Sequence, residues 1–419
     1  MQTPISSMPR VGKSSASLPV LRLSRPLRSA IYRGHPWIYR QALQTVPDLP
    51  TGTAVEIHDR DGFLAKGLFD RQSPLAVRVY TLDPAQSIDE NFIALRLLSA
   101  YRCRLRTVCG LGKTTTGFRL CNGEGDGLPG VIVDVYGPVA VVVFDGDAAA
   151  SLRPSVVRAL QKHAEMFGIS TIYERYQRRQ GHGGKLLFGD PPVLPENDRG
   201  LHPFEFVFLE HGMRLLVDIE HGQKTGMFLD QRENRLLVRR CSNGLSVWNG
   251  FAYTGGFSVA AALGGATRVV SVDRAEAAIE TAKRNVQLAG LPLDQHEFVV
   301  DDVFSVLQQT QARGERFDLV IVDPPSFAPT AQAVSSAISA YTKLHEQALD
   351  LVAPGGLFAA ASCSSHIDEK MFLETICDAA LFRRKTLRFL EVHGQPADHP
   401  TLPAFPEGRY LKFALCVVG

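Results

Sequence analysis

The chain has few cysteines, and none of them are spaced to form a metal-binding pair. Its 419 residues contain seven cysteines, and no Cys-x-x-Cys motif occurs. An odd number of cysteines at irregular spacing argues against a disulfide framework and against a zinc site. This usage is typical of a reducing compartment, so we expect a cytoplasmic protein without a bound metal.

Long apolar runs and a secretory leader are also missing. No stretch approaches the roughly 18 continuous apolar residues that a membrane-spanning helix needs. Residues 1–19 are rich in Ser and Pro and lack the apolar core of a signal peptide. We therefore expect no membrane partner and no secretion.

Acidic residues are missing from the beginning of the chain, although the whole chain is nearly neutral. No Asp or Glu precedes Asp48, and the net charge is +2. This balance argues against binding nucleic acid by bulk charge alone, but basic clusters can still form phosphate contacts. The clusters are Arg10, Lys13, Arg22, Arg25, Arg28, Arg33 and Arg40, then Arg96, Arg102, Arg104, Arg106 and Lys113, then Arg175, Arg178 and Arg179. The alternative is that these are scattered, solvated arginines.

Length and patterning predict three regions. With 45% apolar and 21% charged residues the chain can bury ordinary cores. Residues 18–88 alternate short β-type runs with turns and predict a small β-barrel. Residues 89–200 predict a helix at 89–108, an α/β middle domain with a helix near 150–167, and a loop from 178 to 200. Residues 201–419 begin with a hairpin across His211-Gly212 and continue as alternating strands and helices.

The third region predicts a mostly parallel, Rossmann-like sheet that ends in an antiparallel hairpin. The expected strands are Ser246–Asn249, Arg268–Asp273, His296–Val300, Leu319–Asp323, Gly356–Ser362, Leu387–Val392 and Leu411–Val417. The fourth strand stops at Asp323-Pro324-Pro325, because prolines cannot continue a hydrogen-bonded ladder. A carboxylate is thus expected at the carboxyl end of a central strand, where open α/β sheets bind ligands.

A second group of residues predicts a cofactor site at the same edge. The first strand leads into Asn249–Phe257, where Gly255 allows a tight turn before a helix. Asp273 ends the next strand and is placed to accept hydrogen bonds from ribose, and Asp302 follows the third strand, near an adenine amine. The alternative for both carboxylates is helix capping. The turn is not GxGxxG, which disfavours a nicotinamide or flavin site.

Cys363 follows the fifth strand and is expected beside Asp323. A thiolate there could attack C6 of a pyrimidine and make C5 nucleophilic toward a sulfonium methyl group. Asp323 would then hydrogen-bond the edge of the base. The alternatives are a small buried apolar cysteine and, for the nearby His366, an ordinary surface or capping histidine rather than a proton carrier.

Motifs along nearly the whole chain resemble one family. They are Arg33-Gly34-His35-Pro36-Trp37-Ile38-Tyr39, Gly123–Asp134, Lys224–Arg235, Tyr253-Thr254-Gly255-Gly256-Phe257-Ser258, Asp323–Phe327, Ser362-Cys363-Ser364, Ala397-Asp398-His399-Pro400 and Leu402–Glu407. With these motifs the chain resembles the bacterial 23S ribosomal RNA large-subunit methyltransferases of the RlmI type, class I enzymes that use S-adenosylmethionine.

The resemblance implies a fold, a cofactor and a reaction. It implies an N-terminal PUA-like barrel that grips RNA, a small α/β middle domain and a C-terminal class I methyltransferase domain. It implies methylation of cytosine C5 in 23S rRNA, with Cys363 as nucleophile and Asp323 as its catalytic partner. The residues expected to hold S-adenosylmethionine are Lys224, Phe228, Asp230, Arg232, Phe251, Tyr253, Thr254, Gly255, Asp273, Asp302 and Asp323.

Other functions are also compatible with this sequence. Relatives of similar architecture methylate guanine at N7 or N2, where no thiol is needed. Ser326 follows the two prolines, where amino-methylating enzymes typically carry an aromatic residue, and this favours cytosine. A non-catalytic ribosome-assembly factor and a nicotinamide-dependent oxidoreductase are further alternatives. A homodimer is one open assembly state.

Overall fold

The first sheet of the computed structural model, which describes residues 17–176 and 183–419, is a small barrel. Its elements are β1 (Val20–Arg22), α1 (Arg28–Tyr32), β2 (Trp37–Tyr39), β3 (Ala54–Asp59), β4 (Gly62–Phe69) and β5 (Leu75–Thr81). The strand order is β1-β3-β4-β5-β2. A bridge between Leu23 and Leu43 joins the two edges of this sheet, so apolar side chains can fill the interior.

The middle region packs one long helix against a second five-stranded sheet. The helix α2 (Glu90–Thr107) begins where the Asp89 carboxylate caps the amide of Phe92. The sheet contains β6 (Gly117–Asn122), β7 (Val131–Tyr136), β8 (Val139–Phe144), β9 (Thr171–Arg175) and β10 (Gly184–Phe188), in the order β10-β9-β8-β7-β6.

Two predictions for this region were wrong. The segment expected as a loop from 178 to 200 contains β10, which pairs with β9 and completes the sheet edge. The helix expected near 150–167 is divided into α3 (Asp147–Ala150), α4 (Arg153–Lys162) and α5 (Ala164–Phe167). Local polarity misled the first prediction, because an edge strand is stabilised by its neighbour rather than by its own apolar residues.

The hairpin expected across His211-Gly212 is present. Strands β11 (Glu205–Glu210) and β12 (Met213–Asp218) pair in antiparallel register. His211 and Gly212 have φ angles of 46° and 79°. Positive φ at both turn residues is what a two-residue hairpin with the normal strand twist requires.

The last region is a seven-stranded, mostly parallel sheet, as the sequence predicted. Its strands are β13 (Ser246–Gly250), β14 (Arg268–Asp273), β15 (His296–Val300), β16 (Phe317–Val322), β17 (Val352–Ser362), β18 (Leu387–His393) and β19 (Lys412–Val418). Its helices are α6 (Arg232–Cys241), α7 (Gly256–Leu263), α8 (Glu276–Leu288), α9 (Val303–Ala312), α10 (Val334–Leu351) and α11 (Glu369–Phe382). The antiparallel terminal hairpin is confirmed, since β19 pairs with both β17 and β18.

The strand order of this sheet decides where a ligand can bind. The order is β15-β14-β13-β16-β17-β19-β18. The chain runs outward in one direction from β13 and resumes on the other side with β16, so a crevice opens between their carboxyl ends. No helix within the two described ranges is long and apolar enough to cross a membrane.

Candidate active site

A cavity of about 470 Å³ lies at the carboxyl ends of the central strands. Ten of the residues expected in the site line it together: Lys224, Phe228, Asp230, Phe251, Tyr253, Thr254, Asp273, Asp302, Asp323 and Cys363. Neither Arg232 nor Gly255 lines it. Its walls are therefore both acidic and aromatic, which suits a ligand with a cationic part and a flat ring.

The turn after β13 holds one wall of the cavity in a strained backbone. Phe251 and Tyr253 have positive φ angles of 59° and 48°, which non-glycine residues rarely adopt. Gly255 has a φ of 77°, and a Cβ there would lie 2.8 Å from the Cβ of Ala282. Glycine is thus needed so that α8 can pack close behind the turn, although Gly255 itself does not face the cavity.

Asp273 and Asp302 line the cavity and also order the backbone around it. Asp273 accepts hydrogen bonds from the amides of Tyr253 at 2.8 Å and Ala275 at 2.9 Å. Asp302 caps α9 by accepting from the amide of Ser305 at 3.1 Å. The capping alternative for Asp302 is thus present, and it is compatible with a second role because a carboxylate has further lone pairs.

Lys224 and Asp230 form the polar centre of the cavity. The Lys224 ammonium donates to Asp230 Oδ2 at 2.7 Å and lies 4.4 Å from the centre of the Phe228 ring. Tyr410 donates to the same Oδ2 at 2.7 Å. Burial favours the neutral acid, but Lys224, His399 and the Tyr410 hydroxyl outweigh it and hold the pKa of Asp230 below its ordinary value. Asp230 is thus an anion.

Asp230 keeps one acceptor free. Its Oδ1 is buried and has no hydrogen-bond partner among residues 17–176 and 183–419. A buried, unsatisfied carboxylate oxygen is costly, so such an atom next to a cavity marks the position of a ligand donor.

Arg232 does not contact the cavity, which corrects the prediction that it binds the cofactor directly. Its side chain is 1% exposed and donates to both carboxylate oxygens of Asp398, at 2.7 and 3.0 Å. Asp398 also accepts from the amide of Arg119, and its carbonyl accepts from Arg104. The Arg232 guanidinium is thus held in a buried ion pair with Asp398. Through Asp398, the loop before β19 is also bonded to the middle region.

Asp323 and Cys363 lie at the ends of neighbouring strands. Strands β16 and β17 pair in parallel, with Val322 opposite Ala360. Asp323 comes directly after Val322 and Cys363 comes three residues after Ala360, so both side chains lie at the same edge of the sheet. Gln231 donates to Asp323 Oδ2 at 3.0 Å. Burial, with the nearby charge of Asp230, raises the pKa of Asp323 to about 7. The carboxyl can therefore exist as a proton donor near neutral pH.

The surroundings of the Cys363 thiol favour its protonated form. Burial raises its pKa above the ordinary value, and the neighbouring Asp323 carboxylate adds to the effect. The thiolate that the sequence analysis considers would therefore have to form against this shift. The cause is the low polarity of the strand end together with an anion beside the sulfur.

The remaining predicted residues lie at the edge of the site. The Ser326 hydroxyl is 3.0 Å from that of Ser364, outside the cavity lining. His366 is exposed and does not line the cavity, which matches the surface alternative. Sequence reasoning missed Gln231 and Tyr410. For Tyr410 no local signal exists, because it approaches Asp230 from 180 positions along the chain.

Comparison with known sequences identifies the family. The profile of the S-adenosylmethionine-dependent methyltransferases matches residues 197–411, and that of a PUA-like domain matches residues 21–82. The Ribosomal RNA large subunit methyltransferase I of Escherichia coli strain K12 is 38% identical over 404 residues, which cover 95% of this chain and 99% of that protein. The chain belongs to this methyltransferase family. The expected S-adenosylmethionine dependence is thereby confirmed.

Two solved structures share the architecture of this chain. A protein described as a SAM-dependent methyltransferase from Streptococcus mutans has a TM-score of 0.81 at 23% identity, covering 96% of this chain and all of the other. A second methyltransferase, solved in complex with SAH, has a TM-score of 0.82 at 24% identity and the same coverage. At this identity the likeness establishes the shared fold of the methyltransferase and its N-terminal domains.

Proposed function

We propose that this methyltransferase acts on large-subunit ribosomal RNA and transfers the methyl group to C5 of a cytosine in 23S rRNA. The substrate follows from the name of the Escherichia coli relative, which aligns over nearly the full length. The base-carbon chemistry rests on one observation, namely a cysteine and a proton-donating aspartate at adjacent strand ends facing one cavity.

The residues of the cavity fit S-adenosylmethionine. The free Oδ1 of Asp230 suits the ammonium of the methionine part, and Asp273 ends β14 where ribose hydroxyls bind in such sheets. Phe251 and Phe304 offer flat apolar surfaces for adenine, and Asp302 lies beside them. When bound, S-adenosylmethionine supplies an electrophilic methyl group on its sulfonium. We assign Lys224, Phe228, Tyr253 and Thr254 to the same binding site. Gly255 would act through the backbone turn, and Arg232 through its buried ion pair.

Asp323 and Cys363 account for activation of the cytosine. The thiol loses its proton to water, and the sulfur forms a bond to C6. The protonated Asp323 donates a hydrogen bond to N3 and offsets the charge that develops on the ring. The bond at C6 makes C5 nucleophilic, and C5 would then receive the methyl group that bound S-adenosylmethionine supplies, with the demethylated donor as the leaving group. Loss of the C5 proton to water and departure of the thiolate from C6 restore the C5–C6 double bond.

RNA contacts are proposed on the barrel and on α2. Arg22, Arg25, Arg33, Arg102 and Arg106 are exposed, and none is within 4.0 Å of a carboxylate in the described ranges. Exposed guanidinium groups without a carboxylate partner suit phosphate contacts.

Other arginines of the predicted basic clusters serve the fold instead. Arg28 pairs with Asp59, Arg104 with Asp126, and Arg175 donates to two loop carbonyls. Arg10, Lys13, Arg178 and Arg179 lie outside the described residues. The reacting base is expected to be unstacked, since a duplex hides C5 and C6.

A trapping experiment tests the reaction. RNA that contains 5-fluorocytidine cannot lose a proton from C5, so the wild type should accumulate a complex that survives denaturing electrophoresis. Cys363→Ala should form none, while it still binds S-adenosylmethionine. The matched control is Cys377→Ala, which removes an exposed thiol of α11 that lies outside the cofactor cavity.

Each alternative has its own outcome. Methyl groups on guanine in rRNA, with full activity of Cys363→Ala, would overturn the cytosine reaction and leave RNA methylation in place. Absence of any S-adenosylmethionine binding by calorimetry would support a non-catalytic assembly factor. A cytoplasmic location and a homodimer stay predictions, which fractionation and native mass spectrometry test.

A further inference from the structure

Lys412 is a buried cation beside the proposed nucleophile. It begins β19 and is 3% exposed. In the ladder between β17 and β19 it lies opposite Ser362, the residue before Cys363. Its ammonium donates to the carbonyl of Ser364 at 2.6 Å and to the carbonyl of Tyr410 at 2.9 Å.

This ammonium has no carboxylate partner. Within residues 17–176 and 183–419, no Asp or Glu oxygen lies within 4.0 Å of Lys412. Buried charges are normally paired, because taking an ion out of water is expensive unless an opposite charge compensates. Two carbonyls satisfy two of its three donors, so one donor and the full positive charge remain to be matched.

The group that can supply this negative charge is Cys363. The ionisable groups that act on Lys412 are Cys363 first and Asp368 second. Asp368 acts on Lys412 more weakly than Cys363 does, and it also caps α11 by accepting from the amide of Met371 at 2.8 Å. A thiolate at Cys363 would therefore complete the charge balance of this pocket.

We propose that Lys412 is a positioning residue for the nucleophile: it fixes the strand end that carries Cys363 and stabilises the thiolate form. This inference rests on the proposed function, since it concerns the cysteine of that reaction. The bond to the Ser364 carbonyl ties the residue after Cys363 to β19, and the bond to the Tyr410 carbonyl orients the lysine side chain itself. The unmatched charge favours loss of the thiol proton. The two effects together would set the pH range in which the enzyme can attack cytosine.

Other charges around the sulfur act in both directions. Asp323 and Asp230 oppose the thiolate, while Lys224 and Lys412 favour it. Tyr341 also faces Cys363 from α10. Burial lowers the pKa of Lys412 to about 8, so its charge is present at neutral pH and lost as the pH rises above that value. Support for the thiolate is thus strongest at and below about pH 8.

The test is alkylation of Cys363 by iodoacetamide at a series of pH values, read for each cysteine by peptide mass spectrometry. Lys412→Met keeps the length and the apolar stem but removes the charge. We expect the alkylation rate of Cys363 at neutral pH, where Lys412 is charged, to fall about tenfold, which corresponds to about one unit in the pKa that governs the thiolate fraction there. The profile of exposed Cys103 is the internal reference, and Lys370→Met on the exposed face of α11 is the control.

The outcomes separate this inference from the reaction itself. An unchanged Cys363 profile in folded Lys412→Met overturns the role of Lys412, whatever the RNA result. A shifted profile in an enzyme that methylates no cytosine supports Lys412 and overturns the proposed function. Where Lys412→Met does not fold, Lys412→Arg decides, because it keeps the charge. Its alkylation rate at neutral pH should stay at or above that of the wild type, and a lower rate overturns the inference.

Discussion

Replacement of Asp323 by asparagine tests the protonation state of the active-site carboxyl without any substrate. Burial, with the charge of Asp230, raises the pKa of Asp323 to about 7. In an unfolded chain an aspartate returns to a pKa of about 4. Folding is therefore opposed by ionisation of Asp323, and the neutral amide of similar shape avoids that opposition.

The size of the effect follows from the two pKa values. When folding raises the pKa of a carboxyl, the folded state is most stable below the unfolded pKa, where the group is neutral in both states. That stability is lost as the pH rises through the folded pKa. Three pKa units correspond to about 4 kcal/mol. Asp323 faces a cavity that solvent enters, and screening by this solvent lowers the free-energy difference to about 2 kcal/mol. The wild type should thus lose about 2 kcal/mol relative to Asp323→Asn between about pH 4 and pH 8.

Urea unfolding at several pH values measures this difference. Trp248 is fully buried in the core of the catalytic sheet, so its fluorescence reports on the domain that contains Asp323. The experiment is done without cofactor, and Asp378→Asn on the exposed surface of α11 is the control. If the gap between wild type and Asp323→Asn stays constant from about pH 4 to pH 8, the raised pKa is refuted.

Three further predictions follow from the same site. Cys363→Ala should lower methyl transfer by at least about a thousandfold in a labelled-cofactor assay; near-normal rates would exclude the covalent route. Lys224→Met should weaken S-adenosylmethionine binding about tenfold by calorimetry, because it leaves Asp230 without its cation; equal affinity would place Lys224 outside the binding set. Asp398→Ala should destabilise the protein by about 3–5 kcal/mol in urea, because it removes the buried partner of Arg232 and leaves only the partly exposed Glu233. A loss below about 1 kcal/mol would show that solvent reaches that arginine.

Much of the fold could be predicted because its signals are local. Apolar runs of β-formers marked the strands of the catalytic sheet, and the Asp323-Pro324-Pro325 motif marked the end of β16. The hairpin at His211-Gly212 was equally local, since two adjacent residues set its turn. The Gly184–Phe188 strand was missed because its neighbour in the sheet, rather than its own composition, makes it a strand.

The sequence by itself determined which residues end the parallel strands, and therefore that Asp273, Asp323 and Cys363 meet at one edge of the sheet. Only the tertiary structure decided which side chains reach the cavity and which of them are charged. Arg232 is removed from the cavity by Asp398, and Asp230 is held as an anion partly by Tyr410, both distant along the chain. Strand ends follow from neighbouring residues, whereas burial and charge depend on every element that packs around a group, and those elements come together only in the folded protein.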